Sequence, residues 1–210
     1  MIIEYLIFTR CEQSVLVKNS HLTTMQTKTD ILPKHGVTGL LLSEEEVDLF
    51  LDYLVETDPE PARIHTQGEK SENKSVRDAE TRFIDEKQTR LYRILNKVAM
   101  SANKHFKYDI NGIERAQIIT YKAPSNGYEY HMDIGPEGTA ATRKISMSLL
   151  LNDDFEGGEI CFRYNENEMC KRPEKGEVVI FSSFLSHKVK PITKGKRYVV
   201  VAWFTGPPFR

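Results

Sequence analysis

The segment His131-Met132-Asp133 places an imidazole and a carboxylate two residues apart, and His187 adds a second imidazole further along the chain. Two imidazoles and one carboxylate can hold a divalent metal on one face and leave its other positions open. That arrangement suits ferrous iron that must also bind a co-substrate and oxygen. Arg197, ten residues after His187, carries the side chain best shaped to grip a carboxylate through two parallel hydrogen bonds. These residues predict an iron enzyme with a dicarboxylate co-substrate.

The residues around these side chains are typical of short β-strands. Residues 128–134 are rich in aromatic and apolar side chains, and in a strand residues i and i+2 point to the same side, so that His131 and Asp133 can reach one metal. In the strand predicted after residue 195, Arg197 and Lys196 point to opposite faces. Arg197 shares its face with three residues, Val199, Val201 and Trp203, the last of which we expect to pack in the core. We therefore expect Arg197 rather than Lys196 to anchor the anion.

The second half of the chain carries further motifs in a defined order, at residues 117–121, 127–133, 143–152, 155–159, 175–181 and 186–203. In order and spacing they resemble the iron(II)- and 2-oxoglutarate-dependent oxygenases, in the prolyl 4-hydroxylase-like branch. The resemblance spans residues 113–210. The ending, residues 201–210, is similar to the bacterial and phage subgroup of PKHD-type hydroxylases.

Position by position, the resemblance implies that His131, Asp133 and His187 are the catalytic iron ligands. It implies that Arg197 binds the distal carboxylate of 2-oxoglutarate and that Tyr121 contacts the same co-substrate. The implied reaction uses Fe(II), 2-oxoglutarate and O2, with ascorbate as a candidate reductant. It hydroxylates a C–H bond and releases succinate and carbon dioxide.

One position departs from the family pattern, because some members have a tyrosine where this chain has Leu150. The departure predicts a drier co-substrate pocket on that side. Ser146 and Ser148, in the same predicted strand, are candidates for polar contacts there, with a purely structural role as the alternative.

From residue 113 onward the pattern is almost all strand and turn. Eight candidate strands lie at 113–122, 128–134, 143–152, 158–164, 168–172, 177–182, 186–191 and 196–204. Eight short antiparallel strands form a double sheet whose mouth can hold a metal. We predict an α+β, mainly β fold with a double-stranded β-helix (jelly roll, cupin-like) core and supporting N-terminal helices. Residues 1–36 are assigned to an N-terminal extension and 37–210 to the oxygenase domain, with helical support over 37–112 and the catalytic core over 113–210.

Two helices are predicted in the supporting segment. Ser43 and Glu46 form a candidate capping box for the first, and the second is expected to start near Asp85 with Gln88 in the capping position. Between them, residues 60–80 are polar and predicted as a loop, either a substrate lid or a solvated linker. Arg77 is the residue of this loop to test first.

Composition is that of a soluble globular protein, with 40% hydrophobic and 28% charged residues. The formal net charge of −1 provides no global positive field for nucleic acid or an anionic membrane, and no apolar run approaches the roughly 20 residues that span a bilayer. Cys161 and Cys170 would face each other across a hairpin with its turn at Asn165-Glu166. Free thiols in a reducing cytoplasm are nevertheless the expectation, because cross-strand spacing is slightly wide for a disulfide.

The substrate stays open at this stage. A peptide or protein is the first choice, and an amino acid or other small molecule is the second. A jelly roll that binds without turnover and an oxygenase acting on nucleic acid remain alternatives, although the lysines at 188, 190, 194 and 196 lack clear stacking partners. The first 36 residues could also pack across a homodimer.

Overall fold

The computed structural model describes residues 18–19, 22–23, 38–61, 64–66, 69–71, 77–164 and 167–209. The predicted N-terminal extension therefore lies outside the described residues except for two short strands, and so does the predicted turn at Asn165 and Glu166. Among the described residues, no helix combines the length and apolar character needed to cross a membrane.

The described residues form two α-helices and seventeen strands, together with a 3-10 turn at Thr139–Thr142. The helices are α1 (Glu44–Glu56) and α2 (Thr89–Phe106). The strands before α2 are β1 (Lys18–Asn19), β2 (Leu22–Thr23), β3 (Thr38–Leu41), β4 (Glu60–Pro61), β5 (Ile64–Thr66), β6 (Glu69–Ser71) and β7 (Glu80–Phe83). The strands after α2 are β8 (Gly112–Ile113), β9 (Gln117–Lys122), β10 (Tyr128–His131), β11 (Arg143–Leu150), β12 (Phe155–Gly157), β13 (Ile160–Tyr164), β14 (Asn167–Lys171), β15 (Glu177–Ser182), β16 (Ser186–Val189) and β17 (Ile192–Thr205).

Two antiparallel sheets form the body of the fold. The larger has nine strands in the order β3-β15-β11-β17-β9-β7-β4, with β8 and β12 also pairing with β17. The smaller has the order β10-β16-β13-β14. Ile160 and Phe162 of the small sheet pack against Val179 and Phe181 of the large one. This confirms the predicted α+β, mainly β jelly roll.

The two faces of the large sheet have different partners. Ile118 and Val200 belong to one core cluster with Phe50 of α1 and Leu95 of α2, so this face is covered by the helices. Residues that alternate with them, such as Val199, belong to a separate cluster on the opposite face. The period of two along each strand thus separates a supporting face from the face that looks toward the small sheet.

The segment 37–112 supplies strands as well as helical support. Strand β3 pairs with β15 at one edge of the large sheet, and β7 pairs with β9 near the other. The polar segment 60–80, predicted as a loop, contains the short strands β4, β5 and β6, so a structureless loop is the wrong description of its described residues.

The two helix starts differ in how well the sequence predicted them. The capping box is confirmed: Ser43 Oγ accepts from the Glu46 backbone N–H at 3.3 Å, and Glu46 Oε2 accepts from the Ser43 N–H at 3.2 Å. Helix α2 begins at Thr89, later than predicted, and Gln88 precedes it without a side-chain capping bond. The carboxylate of Asp85 instead accepts from the backbone N–H two residues on, at 2.8 Å. That bond forms a local turn and delays the helix.

The cysteine prediction is wrong in this structure, because Cys161 and Cys170 form a disulfide. They are direct partners in the β13–β14 register, as the hairpin prediction implied. Their Cα atoms lie 3.9 Å apart, whereas the expectation of free thiols assumed an ordinary cross-strand Cβ spacing of about 4.5–5.5 Å.

Candidate metal centre and anion pocket

The structure brings the three predicted metal ligands together. His131 ends β10 and lies directly opposite His187 of β16, and Asp133 follows two residues later. Nε2 of His131 is 3.6 Å from Oδ1 of Asp133, and Nε2 of His187 is 3.6 Å from Oδ2 of Asp133. One ligand atom from each residue lies within 4.8 Å of the other two, so one ion among them could contact all three.

Backbone carbonyls fix the orientation of both imidazoles. Nδ1 of His131 lies 2.8 Å from the Glu129 carbonyl oxygen, and Nδ1 of His187 lies 2.9 Å from that of Leu185. A carbonyl oxygen can only accept, so each Nδ1 carries the proton and donates it. Each Nε2 therefore presents its lone pair toward Asp133, as a metal ligand must.

Burial and neighbouring charge set the protonation of this cluster. Burial lowers the pKa of His131 to about 4, and the charge of His187 acts in the same direction. Burial by itself would raise the pKa of Asp133, but the two histidines and hydrogen bonds from Ser146 and Trp203 outweigh it, so that this pKa is lowered. Near neutral pH His131 is neutral and Asp133 is ionised, the states that metal binding requires.

Asp133 is also supported from behind by a network that sequence reasoning missed. The indole of Trp203 hydrogen-bonds the carboxylate. Arg143 stacks on that indole, with Cζ 4.1 Å from the ring centroid, and donates to the Asp133 carbonyl oxygen at 3.0 Å. Arg143 is held in turn by Glu114 through two bonds of 2.6 and 2.7 Å. The available signal was the alternation along β17, which puts Trp203 on the face of Arg197.

Arg197 occupies a second polar site on the same face of the large sheet. It lies opposite Tyr121 of β9, and its Cζ is 5.6 Å from the centre of the Tyr121 ring. The side chain is 1% exposed, and its Nε, Nη1 and Nη2 atoms have no hydrogen-bond partner among the described residues. Burial lowers the pKa of Arg197 to about 10, so the guanidinium stays charged at neutral pH.

The surroundings of Arg197 are apolar. Leu150, Phe155, Ile192 and Val199 form a buried cluster with Tyr121, which agrees with the dry wall predicted from Leu150. Lys196 is exposed on the other face, as the alternation predicted. A buried cation without hydrogen-bond partners is costly. An anion with two oxygens would satisfy it.

Of the two candidate serines of β11, Ser146 lies at the metal centre rather than at Arg197. The Oγ atoms of Ser146 and Ser183 are hydrogen-bonded at 3.0 Å, and the Ser146 hydroxyl also contributes to the lowered pKa of Asp133. Ser148 is buried, and Arg197 makes no hydrogen bond to it among the described residues.

Arg77 lies at the rim of the metal centre. Its backbone forms a bridge with Tyr128, and its guanidinium lies over the Tyr128 ring at 5.1 Å from the centroid. The Tyr128 ring stacks on His131, with centroids 3.7 Å apart and 22° between the planes. The last part of the 60–80 segment therefore reaches the site, as a lid would.

Residues 116–205 match the family model of the 2OG-Fe(II) oxygenase superfamily. This part of the chain is therefore similar to members of that superfamily. The matched residues include all three candidate metal ligands together with Tyr121 and Arg197. The name of that superfamily refers to 2-oxoglutarate and Fe(II).

A PKHD-type hydroxylase of Synechococcus sp. (strain CC9902) is 33% identical over 88 residues, which cover 41% of this chain and 39% of that protein. The chain therefore matches about two fifths of the length of this curated relative. A solved prolyl-4-hydroxylase from Pseudomonas putida superposes with a TM-score of 0.67 at 18% identity, over 82% of this chain and 94% of that one. A prolyl hydroxylase from Trichoplax adhaerens, in complex with a hypoxia inducible factor peptide fragment, gives a TM-score of 0.65 at 20% identity, over 81% of this chain and 84% of that one. These structures show a shared fold.

Proposed function

We propose that this chain is an Fe(II)- and 2-oxoglutarate-dependent dioxygenase that hydroxylates a C–H bond and releases succinate and carbon dioxide. One observation carries the proposal: a metal-competent His131, Asp133 and His187 triad shares its side of the large sheet with a buried, unpartnered Arg197. Trp203 lies on the same face of β17 as Arg197, six residues further along the strand, and it hydrogen-bonds Asp133. It therefore links Arg197 to the triad. A metal site alone would not require the guanidinium.

The residues present fit ferrous iron and a keto diacid. Two imidazoles and one carboxylate would hold Fe(II), which when bound supplies the activation of oxygen and the oxidation of the C–H bond. A catalytic zinc site can have the same ligands, but it gives no reason for a buried guanidinium that lies among apolar side chains without a hydrogen-bond partner among the described residues.

Each side chain has a separate task in this proposal. Arg197 binds the far carboxylate of 2-oxoglutarate and orients the molecule along the sheet toward the triad, with Tyr121 at its side. The apolar cluster around Leu150 excludes water and strengthens that ion pair. The carbonyls that accept from Nδ1 hold the imidazoles in the ligating tautomer, and Trp203 and Ser146 hold the Asp133 carboxylate.

For the substrate we propose a prolyl residue of a peptide or protein, with a free amino acid or small molecule as the second choice. Support comes from the prolyl hydroxylases of similar fold, one of which is complexed with a peptide fragment. Ascorbate is the proposed reductant. Nucleic acid is disfavoured, since Lys188 pairs with Glu168 at 2.8 Å and Lys194 with Glu156 at 3.1 Å, which leaves no continuous basic strip there.

The test is the formation of succinate from 2-oxoglutarate with Fe(II), oxygen and ascorbate, with and without a set of proline-containing peptides. We expect slow succinate formation with Fe(II) and 2-oxoglutarate in the absence of a peptide, and a faster rate when an accepted peptide is added. The mass of that peptide should increase by one oxygen atom. A chelated, iron-free sample is the control. Binding of Mn(II) and 2-oxoglutarate without any turnover would instead support a non-catalytic binding module.

A further inference from the structure

A second guanidinium, that of Arg172, lies just outside the anion pocket. Its Nη1 donates to the Gly157 carbonyl oxygen at 2.8 Å, and its Nη2 donates to that of Phe155 at 2.6 Å. Its Cζ lies 4.5 Å from the centroid of the Phe155 ring. Arg172 itself is exposed. One exposed side chain thus clamps both ends of β12.

Strand β12 forms the wall of the pocket that holds Arg197. Phe155 pairs with Gly195 at the start of β17 and is 5% exposed in the apolar cluster of the pocket. The backbone then turns at Gly158, where φ is +70°. A Cβ atom at Gly158 would lie 2.8 Å from Arg197 Cδ and 3.2 Å from Phe155 Cε2. The main chain therefore lies directly on the arginine, with no room for a side chain between them.

We infer that Arg172 is a positioning residue for the co-substrate, which sets the affinity for the far carboxylate by holding β12 against Arg197 and by adding a second positive charge beside it. This inference rests on the proposed function. The two guanidinium groups interact electrostatically: after burial, the charge of Arg172 contributes to the lowered pKa of Arg197. An anion between or beside two cations relieves their repulsion, so a dicarboxylate gains from both.

The test compares Arg172→Gln and Arg172→Lys with the wild type by calorimetric titration in the presence of Mn(II). The ligands are 2-oxoglutarate and 2-oxobutyrate, which lacks the far carboxylate. Arg163→Gln is the matched control, because Arg163 is also exposed and stacks on an aromatic ring, with Cζ 3.9 Å from the Tyr130 centroid, away from β12. Thermal unfolding of each variant verifies that it is folded.

We expect Arg172→Gln to weaken 2-oxoglutarate binding about tenfold and to change 2-oxobutyrate binding less than about twofold. Arg172→Lys keeps the charge but cannot reach two carbonyls with one planar fork, so it should recover only part of the affinity. In turnover, KM for 2-oxoglutarate should rise while kcat stays close to that of the wild type. Arg163→Gln should behave as wild type in every titration.

Two results with Arg172→Gln would overturn the inference: an unchanged affinity for 2-oxoglutarate, or equal losses of affinity for 2-oxoglutarate and 2-oxobutyrate. Wild-type affinity for 2-oxoglutarate in Arg172→Lys would also overturn it, because a charge without the two carbonyl bonds would then be sufficient. Failure of the wild type to bind 2-oxoglutarate with Mn(II) is a different result. It would refute the proposed function itself.

Discussion

The metal end and the anion end of the pocket lie on one face of the large sheet but are built differently. At the metal end the protein satisfies its own polar groups: backbone carbonyls accept from both Nδ1 atoms, and Ser146 and Trp203 hydrogen-bond Asp133. At the anion end, the three nitrogens of Arg197 are buried without a partner among the described residues. The metal ligands are thus held in place by the protein itself, whereas Arg197 has no anionic partner among the described residues.

This difference indicates where the free energy of ligand binding comes from at each end. The triad is already oriented for a metal, so little free energy is needed to orient its side chains, and metal affinity depends on keeping that orientation. Burying a guanidinium that has no hydrogen-bond partner among the described residues costs several kcal/mol. A carboxylate that forms an ion pair with Arg197 would remove this cost. We therefore expect substitutions at the metal end to lower metal affinity, and loss of the Arg197 charge to raise the stability of the ligand-free protein.

The largest effect should follow from loss of the triad carboxylate. Asp133→Ala removes the anionic ligand and leaves two imidazoles without the group toward which they point. We expect succinate formation to fall to background and Mn(II) affinity to fall by more than about a hundredfold, since even loss of a supporting partner can cost that much. Succinate assays and Mn(II) titration measure the two quantities.

Lys196→Ala is the control for this prediction, because Lys196 is exposed on the opposite face of β17. It should barely change either quantity. Equal losses in Lys196→Ala and Asp133→Ala would contradict the assignment of the strand face.

At the anion end, Arg197→Met should separate stability from function. Without ligand, the free energy of unfolding should rise by about 1–3 kcal/mol, because an uncompensated buried charge is replaced by an apolar side chain of similar length. Affinity for 2-oxoglutarate should fall about a hundredfold or more. Denaturant unfolding with and without Mn(II) and 2-oxoglutarate tests both. A variant less stable than the ligand-free wild type would show that Arg197 has partners of its own.

Much of this contrast could be predicted from the sequence, because strand alternation is a short-range rule. The face of Arg197 follows from a period of two, and the structure has it on the predicted side. His131 and Asp133 meet at one site as predicted, but β10 ends at His131, so Asp133 lies beyond the strand and not within it as the predicted strand 128–134 implied. The absence of partners around Arg197 could not be predicted, since it depends on which residues of β9, β11 and β12 face it. The role of Arg172 depends likewise on a contact between the residue that follows β14 and the backbone of β12, which no local pattern encodes.

The fold shows the same limit. The capping box at Ser43 is local and was confirmed, whereas the start of α2 shifted because Asp85 bonds its own backbone instead of capping the helix. The contribution of β3 and β7 to the large sheet is non-local and was not predicted. The disulfide depends on the distance between β13 and β14 at this pair, which a register alone does not supply.

Acid should weaken the metal end selectively. The pKa of His131 is lowered from 6.5 to about 4, mainly by burial, so between these values the unfolded chain binds a proton that the folded protein does not. The contribution of His131 to the free energy of unfolding of the metal-free protein should therefore be fully present above pH 6.5, and it should be lost as the pH drops toward 4. The charge of Arg197, with a pKa of about 10, does not change in this window.

Denaturant unfolding across this window, in the wild type and His131→Gln, measures the effect. The variant has no group that titrates at this position, so its curve should be flatter. Parallel curves would mean that the environment of His131 does not disfavour its protonated form.

The smallest effect should come from Trp203→Phe, which keeps an aromatic face for Arg143 but removes the indole N–H that bonds Asp133. We expect Mn(II) affinity to fall about tenfold, as for other losses of a partner that orients a ligand. Affinity for 2-oxoglutarate at saturating Mn(II) should change less than about twofold, since Arg197 keeps its apolar surroundings. Ser146→Ala, which removes the other hydrogen bond to Asp133, is the matched comparison. Equal losses of metal and 2-oxoglutarate affinity in Trp203→Phe would show that β17 couples the two ends, and the contrast between them would then describe one connected site.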